Sequence, residues 1–224
     1  MPKVTQEYLD AKKKSIAEAA RRVCLRKPVG MVTMMDVIEE TGLSQGGIYR
    51  FYKDLDEILS AMVTGMRSDY SIINEIETLF QNAEESDPAE VIHKVCDVLA
   101  DVMEKHLMDI QKINFDLTVL AINEPERAAK IMGGIGGRSS MEFLSKVALP
   151  KLFEKAGELG WKFREDPEKI MNYISSAYVG IEMNCILTAC YRKAPMGAAC
   201  SPKPLFDTMA KTLIYLCGGE EDKV

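Results

Sequence analysis

The sequence predicts an all-α protein in two parts: a three-helix N-terminal domain over residues 1–54 and a helical bundle over residues 55–224. Three observations predict it. Apolar residues recur at spacings of three and four, as in Leu9, Ile16, Ala20 and Val23, and again in Val91, Val95, Val98, Leu99, Val102 and Met103. Helix-start and helix-stop residues fall between these stripes at short intervals. From Ile170 to Tyr191 the only charged residue is Glu182, so that segment reads as a helix covered on more than one side. A chain of 224 residues, 47% of them hydrophobic, is long enough to bury a sizeable core.

Taken in order, the first helix spans about 5 to 26 and is ended by Lys27, Pro28 and Gly30. Thr33, followed three residues later by Asp36, is a capping-box start for a short second helix. Gly42 supplies its left-handed stop. Ser44 caps a third helix of about two turns. Asp54 caps a long helix over about 55 to 80, which runs out of the first domain as a lever into the second. Ser86, Asp87 and Pro88 open the next helix. Another covers about 109 to 122 and stops at Asn123, Glu124 and Pro125. The GGIGG run at 133 to 137 follows a helix rather than a strand, so it reads as a hinge between helices at about 125 to 132 and 138 to 158, not as a phosphate loop. Gly157, Gly160 and the run from Lys162 to Pro167 form the turn before the last two helices.

The stretch from Thr33 to Leu59 carries the functional information. Two short helices joined by Thr41, Gly42 and Leu43 make the tight turn that sets a second helix at a steep angle, suited to a DNA major groove. Gly46 and Gly47 each cost about 1 kcal/mol relative to Ala inside a helix, and close approach of the backbone to another surface is the usual reason for such a pair.

The run Thr33, Val37, Gly42, Leu43, Ser44, Gly46, Ile48, Tyr49, Tyr52, Asp56 and Leu59 resembles the signature of the tetracycline-repressor (TetR) family of bacterial transcription regulators. The resemblance is specific over the first 60 residues and architectural over the rest. One departure is Leu55, at a place where the family commonly carries a phosphate-contacting Lys; Lys53 stands two residues earlier to substitute for it. The resemblance implies that Thr33 and Ser44 offer hydroxyls and helix N-terminal amides to phosphates. Gln45 is the best base reader, because its amide can pair with adenine N6 and N7. Arg50 adds a guanine or phosphate contact, Tyr49 donates its hydroxyl to a phosphate, and Phe51 touches a thymine methyl or the backbone. Gly46, Gly47 and Lys53 complete the DNA-binding set, whereas Tyr52 reads as core. The partner is double-stranded operator DNA.

Charge distribution agrees. The chain is acidic overall at −6, yet residues 1–53 hold 10 Lys and Arg against 6 Asp and Glu, a net of +4. The remainder is −10, which confines favourable contact with DNA to one domain. Lys12, Lys13 and Lys14 read first as a solvated face and second as contributors to the salt-dependent term. The polar N-terminus lacks an apolar targeting segment, so the expected location is the bacterial cytoplasm, at the nucleoid when DNA-bound, with no membrane partner. The six cysteines show no CxxC pair and no ligand-like spacing with His93 and His106. They read as free thiols with no metal site and no cofactor, and Cys190 and Cys200 are the candidates for a redox sensor.

The last two helices read as a homodimer interface, with Ile174, Ala177, Ile181, Phe206, Met209 and Leu213 as its apolar positions. The resemblance also places the interface there. Fourteen Met residues suit an adaptable apolar pocket. Met103, His106, Phe115, Trp161, Tyr178 and Met183 are the candidate contacts to a small effector, on helices that enclose the family's ligand cavity. No nucleophile-base pair, acid-base pair or metal cluster is legible in this region, so no enzyme is expected. The functional expectation is a ligand-responsive regulator, a repressor, that binds a palindromic operator as a homodimer and is released by an apolar or aromatic effector. The alternative is a helical DNA-binding or protein-interaction module without an effector, and a ligand screen on operator affinity separates the two.

Overall fold

The computed structural model of the protein describes residues 5–69, 72–82, 87–133, 140–191 and 200–220. The helices are α1 (Gln6–Arg26), α2 (Met34–Thr41), α3 (Gln45–Ile48), α4 (Leu55–Asp69), α5 (Ile73–Asn82) and α6 (Pro88–His106). They continue with α7 (Lys112–Asn123), α8 (Pro125–Gly133), α9 (Ser140–Phe143), α10 (Leu149–Glu158), α11 (Pro167–Tyr191) and α12 (Pro202–Cys217). A 3-10 turn at Val29–Met31 precedes α2, and π-helical segments at Leu107–Gln111 and Leu144–Ala148 lead into α7 and α10. Among the described residues there is no strand.

The chain divides into two compact units: Met1–Tyr70 with Lys112–Gly137, and Ser71–Gln111 with Arg138–Val224. The unit that holds the helix-turn-helix therefore includes α4, α7 and α8 as well as the first 54 residues.

In the first unit, α1 presents Ile16, Ala19, Ala20, Val23 and Cys24 inward, and α2, α4 and α7 all pack against it. The Thr5 hydroxyl caps α1 by accepting from the Tyr8 amide at 3.3 Å. Lys27 adopts an extended backbone at the other end, the conformation that a following proline imposes. Helix α7 packs on α1 and on the 3-10 turn through Ile113, Leu117 and Leu120, and α8 packs on α4.

In the second unit, α12 and α6 form the most extensive helix pair, with α11 beside α12 and α5 beside α6. Asp87 caps α6 by accepting from the Ala89 amide at 3.1 Å, and Pro88 opens the helix, where its missing N–H costs nothing. The core gathers Val91, Ile92, Leu99 and Met103 of α6 with Ile174 and Ile181 of α11 and Phe206, Met209 and Leu213 of α12.

Several elements differ from the sequence expectation. The expected helix over 55 to 80 is two helices, α4 and α5. The expected helix at 109 starts at Lys112, because one π-helical turn comes first, and the helix expected over 138 to 158 is α9, a π segment and α10 in succession. Helix α3 is a single turn rather than two. Gly133 ends α8, and the rest of the GGIGG run lies outside the described residues.

The end of α12 shows one backbone position that only glycine fills. Gly218 has φ +92° and terminates the helix in the left-handed region, and a Cβ placed there would overlap the Lys162 backbone carbonyl. Around it the Arg164 amide donates to the Leu216 carbonyl at 2.9 Å, and the Arg164 guanidinium lies 4.2 Å from the Tyr215 ring centroid. We expect Gly218→Ala to lower stability by about 1 to 3 kcal/mol from the backbone alone, with the steric overlap adding to it. Urea unfolding measures the loss, and an unchanged midpoint refutes this account of the turn.

Candidate nucleic-acid interface and effector region

The helix-turn-helix is held by caps. The Asp36 amide donates to the Thr33 hydroxyl at 3.3 Å, and the Thr33 amide donates back to the Asp36 carboxylate at 2.7 Å, which completes a capping box. Lys27 of the preceding loop donates to the same carboxylate at 2.7 Å. Gly42, at φ +67°, stops α2 and lets the chain turn, with its amide donating to the Ile38 carbonyl at 3.0 Å. The Ser44 hydroxyl then accepts from the Gly47 amide at 3.2 Å and starts α3.

This framework leaves a polar row facing outward. Thr33, Ser44, Gln45, Gly46, Tyr49, Arg50 and Lys53 are exposed, and Gly47 and Phe51 are half-buried. Tyr49 is 48% exposed, whereas its neighbour Ile48 is fully buried and anchors the row to the core. A side chain at Gly46 would meet nothing of this chain within 4 Å, so the protein's own packing does not demand glycine there. Gly47 is different, because a Cβ there would sit 3.2 Å from the Ser44 hydroxyl that caps the helix. Tyr52 is core: it is buried, its hydroxyl donates to the Lys13 carbonyl at 3.0 Å, and burial pushes its ionisation up to about 12.

The N-terminus of α4 follows at once. Asp54 caps it by accepting from the Glu57 amide at 2.9 Å, and the Lys53 amide donates to the Glu57 carboxylate at 2.7 Å. Arg127 of α8 pairs with Asp56 at 3.1 Å, and Lys130 pairs with Asp54 at 2.9 Å and with Asp56 at 3.1 Å. Sequence reading missed this ion-pair network, since its partners lie more than seventy positions apart. Lys14, Ala17 and Arg21 of α1 and Ala61, Thr64 and Gly65 of α4 line an open cleft of about 740 Å³ in the same unit.

The six candidate effector residues are dispersed. Met103 is fully buried in the core of the second unit, and Tyr178 meets Phe206 edge-on with ring centroids 5.9 Å apart. His106 is half-buried at the end of α6, and burial lowers its basicity. Trp161 packs against Gly219 just after α12, Met183 is 38% exposed on α11, and Phe115 belongs to α7 in the first unit. A small apolar cavity of about 30 Å³ lies among Phe80, Val91, Ile92, Leu149, Leu152 and neighbours, and none of the six lines it.

Of the six positions expected at a dimer interface, Ile174, Ile181, Phe206, Met209 and Leu213 are covered by the chain's own core, and Ala177 packs against that core. The reason is helix phase. On a helix apolar nearly all round, the sequence does not say which apolar stripe faces in. The outward apolar residues are Tyr173, Val179 and Met183 of α11 and Tyr215 of α12.

Cys24, Cys96, Cys185 and Cys217 are buried, Cys200 is half-buried and Cys190 is exposed. Burial pushes the thiols of Cys24, Cys96 and Cys217 up to about 12 and that of Cys185 to about 11. No described helix is long and apolar enough to cross a membrane.

The fold is similar to those of solved TetR-family transcriptional regulators. A candidate TetR-family regulator from Mesorhizobium loti MAFF303099 superposes with a TM-score of 0.64 at 14% identity, over 96% of this chain and 100% of that one. The fatty acid degradation regulator FadR from Bacillus halodurans gives 0.61 at 15% identity, over 90% and 94%. Thermus thermophilus FadR, a TetR-family transcriptional repressor in complex with lauroyl-CoA, gives 0.54 at 14% identity, over 95% and 98%. In sequence, the chain is 30% identical over 127 residues to YfiR of Bacillus subtilis (strain 168), an uncharacterized HTH-type transcriptional regulator. That alignment covers 56% of this chain and 59% of the length of the relative. No protein-family model matches the chain.

Hydrogen bonds from Lys27 and then Thr33 hold the Asp36 carboxyl down at about 2, below its ordinary value of 3.8. A carboxyl whose folded value is depressed contributes stability that is complete above the unfolded value and is lost as pH falls through the folded one. The capping box should therefore weaken between about pH 4 and pH 2. We expect Asp36→Asn to unfold at lower urea than wild type near pH 6, and that difference to shrink near pH 2. A pH-independent difference refutes the assignment.

Proposed function

We propose that the chain is a TetR-family transcriptional regulator, a repressor, that binds a palindromic operator as a homodimer and is released from it by a small effector. DNA reading belongs to residues 1–54, and effector binding and dimerisation belong to residues 55–224. The carrying observation is the exposed row Ser44, Gln45, Tyr49 and Arg50 on a capped helix-turn-helix, in the one part of an acidic chain that is net positive. The shared fold and the HTH-type relative support this reading, and the complex of T. thermophilus FadR with lauroyl-CoA supports a ligand-responsive one. The protein then works in the cytoplasm, on the nucleoid when DNA-bound, without a membrane partner.

In this reading Thr33, Ser44, Tyr49 and Lys53 position the module on phosphates while Gln45 and Arg50 reach base edges, with Phe51 beside them. Gly46 lets the backbone come close. The one-turn recognition helix limits each subunit to a few base contacts, which makes two half-sites about 34 Å apart, or a multiple, necessary for specificity. Arg127 and Lys130 tie α8 to the N-terminus of α4, immediately after Lys53, so a displacement of α8 is felt where the module grips phosphate.

The decisive experiment selects bound DNA from a random pool and measures affinity for the selected site. Gln45→Ala should lose about 1 to 3 kcal/mol on that site and much less on random DNA. Lys53→Ala should weaken both alike and flatten the salt dependence by about one unit. Equal losses on all DNA from the Gln45 change would show that base reading lies elsewhere.

Dimerisation uses the outward stripe of α11 and α12. Val179→Glu combined with Met183→Glu should give a folded monomer with weak operator binding, because both positions are open in the single chain. Light scattering checks this, and a dimer that survives both changes places the interface elsewhere.

A further inference from the structure

Three polar side chains, those of Gln111, Tyr178 and Glu182, stand near one another in the second unit. Gln111, only 6% exposed, is the buried polar residue of the described core, and it ends the π-helical segment Leu107–Gln111. The segment packs against α11, where Tyr178 stands near Gln111. One turn further along α11 stands Glu182, half-buried between the inward residues Tyr178, Cys185 and Ile186.

Glu182 has no hydrogen bond or ion pair among the described residues, unlike most carboxylates of the chain. The packed elements carry other charges. Lys105, His106 and Asp109 lie at the end of α6 and in the π segment, and Lys203, Asp207 and Lys211 lie on α12. None of them shifts its ionisation, which burial alone pushes up to about 7. Lys203 is committed to Asp101 at 3.1 Å and Lys211 to Asp207 at 3.1 Å. A carboxylate drawn out of water without a cation is costly, and a group perturbed in this way marks a candidate functional site. Beside it, Tyr178 and Phe206 form an edge-on aromatic pair, and aromatic faces attract cations. A π-helical turn re-aims side chains and is frequent at functional sites.

We propose that Glu182, Tyr178 and Gln111 form the polar end of the effector site, and that the effector is an organic cation with an apolar or aromatic body. The carboxylate supplies the counter-charge, the Tyr178 and Phe206 rings the apolar and π surface, and Gln111 and the Tyr178 hydroxyl the hydrogen-bonding rim. Glu182 thereby sets the sign of charge that the site accepts. The assignment rests on the ligand-responsive reading given above.

Two probes of matched shape and opposite charge test it: tetraphenylphosphonium and tetraphenylborate, titrated by calorimetry into the full chain. The wild type should bind the phosphonium and not the borate. Glu182→Gln should weaken phosphonium binding at least about tenfold, with Glu182→Asp retaining part of it, while circular dichroism checks that both variants fold. The phosphonium charge does not titrate, so its affinity should be constant above about pH 8 and fall toward tenfold per unit below about pH 6, as Glu182 takes up a proton. Glu182→Gln should remove that dependence. Equal phosphonium affinity in wild type and Glu182→Gln, a flat pH profile, or preference for the borate would each overturn the assignment. Operator affinity is measured separately on selected DNA. If phosphonium binds through Glu182 without weakening operator binding, the cation site stands and the ligand-responsive reading falls.

Discussion

The first unit depends on how closely α1 can be approached. Its inward face is built from Ile16, Ala19, Ala20, Val23 and Cys24, and the two alanines are fully buried. Small side chains in the middle of that face let α2 and α4 both pack on one helix, while Ile16 and Val23 fill the space at either end. Everything on the outward side follows from this. Ile48 and Tyr52 insert into the same core, so the turn between them and α2 must project its polar residues away from it. A larger residue at Ala19 or Ala20 would separate α2 from α4 and tilt the whole row from Ser44 to Lys53.

Much of this was legible because it is local. Thr33 with Asp36, Gly42, Asp54 and Asp87 each act within a few residues, and each cap is where the sequence put it. What was not legible is either non-local or ambiguous in phase. The pairing of Asp54 and Asp56 with Arg127 and Lys130 joins segments whose closeness only the fold creates. The π segments carry no composition signal, since one extra residue per turn is imposed by packing rather than by propensity. Helix α11 shows the phase problem directly. Apolar residues lie all round it, so Ile174 and Ile181 looked as suitable for a partner as Tyr173 and Val179, and only burial separates them. Glu182 stood out in the sequence as a lone charge, but its lack of a partner among the described residues emerged only once its neighbours were in place.

Charge is also divided along the chain. Positive charge is concentrated in the segment that carries the helix-turn-helix, and the acidic remainder repels a polyanion. Such an arrangement favours one orientation of approach and discourages non-specific coating of DNA, and the salt dependence scales with the few phosphate contacts that remain. The acidic pair Asp54 and Asp56 at the start of α4 would repel phosphate if bare. Arg127 and Lys130 offset it next to Lys53.

The cysteines add a property unrelated to regulation. Cys24 lies in the first unit and Cys96, Cys185 and Cys217 in the second, and all four thiols are held in their unreactive protonated form by burial. Alkylation at these positions therefore requires the surrounding helices to open. The modification rate at Cys24, whose carbonyl is tied to the Lys112 ammonium at 3.2 Å, times the opening of the first unit, and the rates at the other three time the opening of the second. The native chain carries a built-in clock for each half, and it keeps that clock without any label that could disturb the packing.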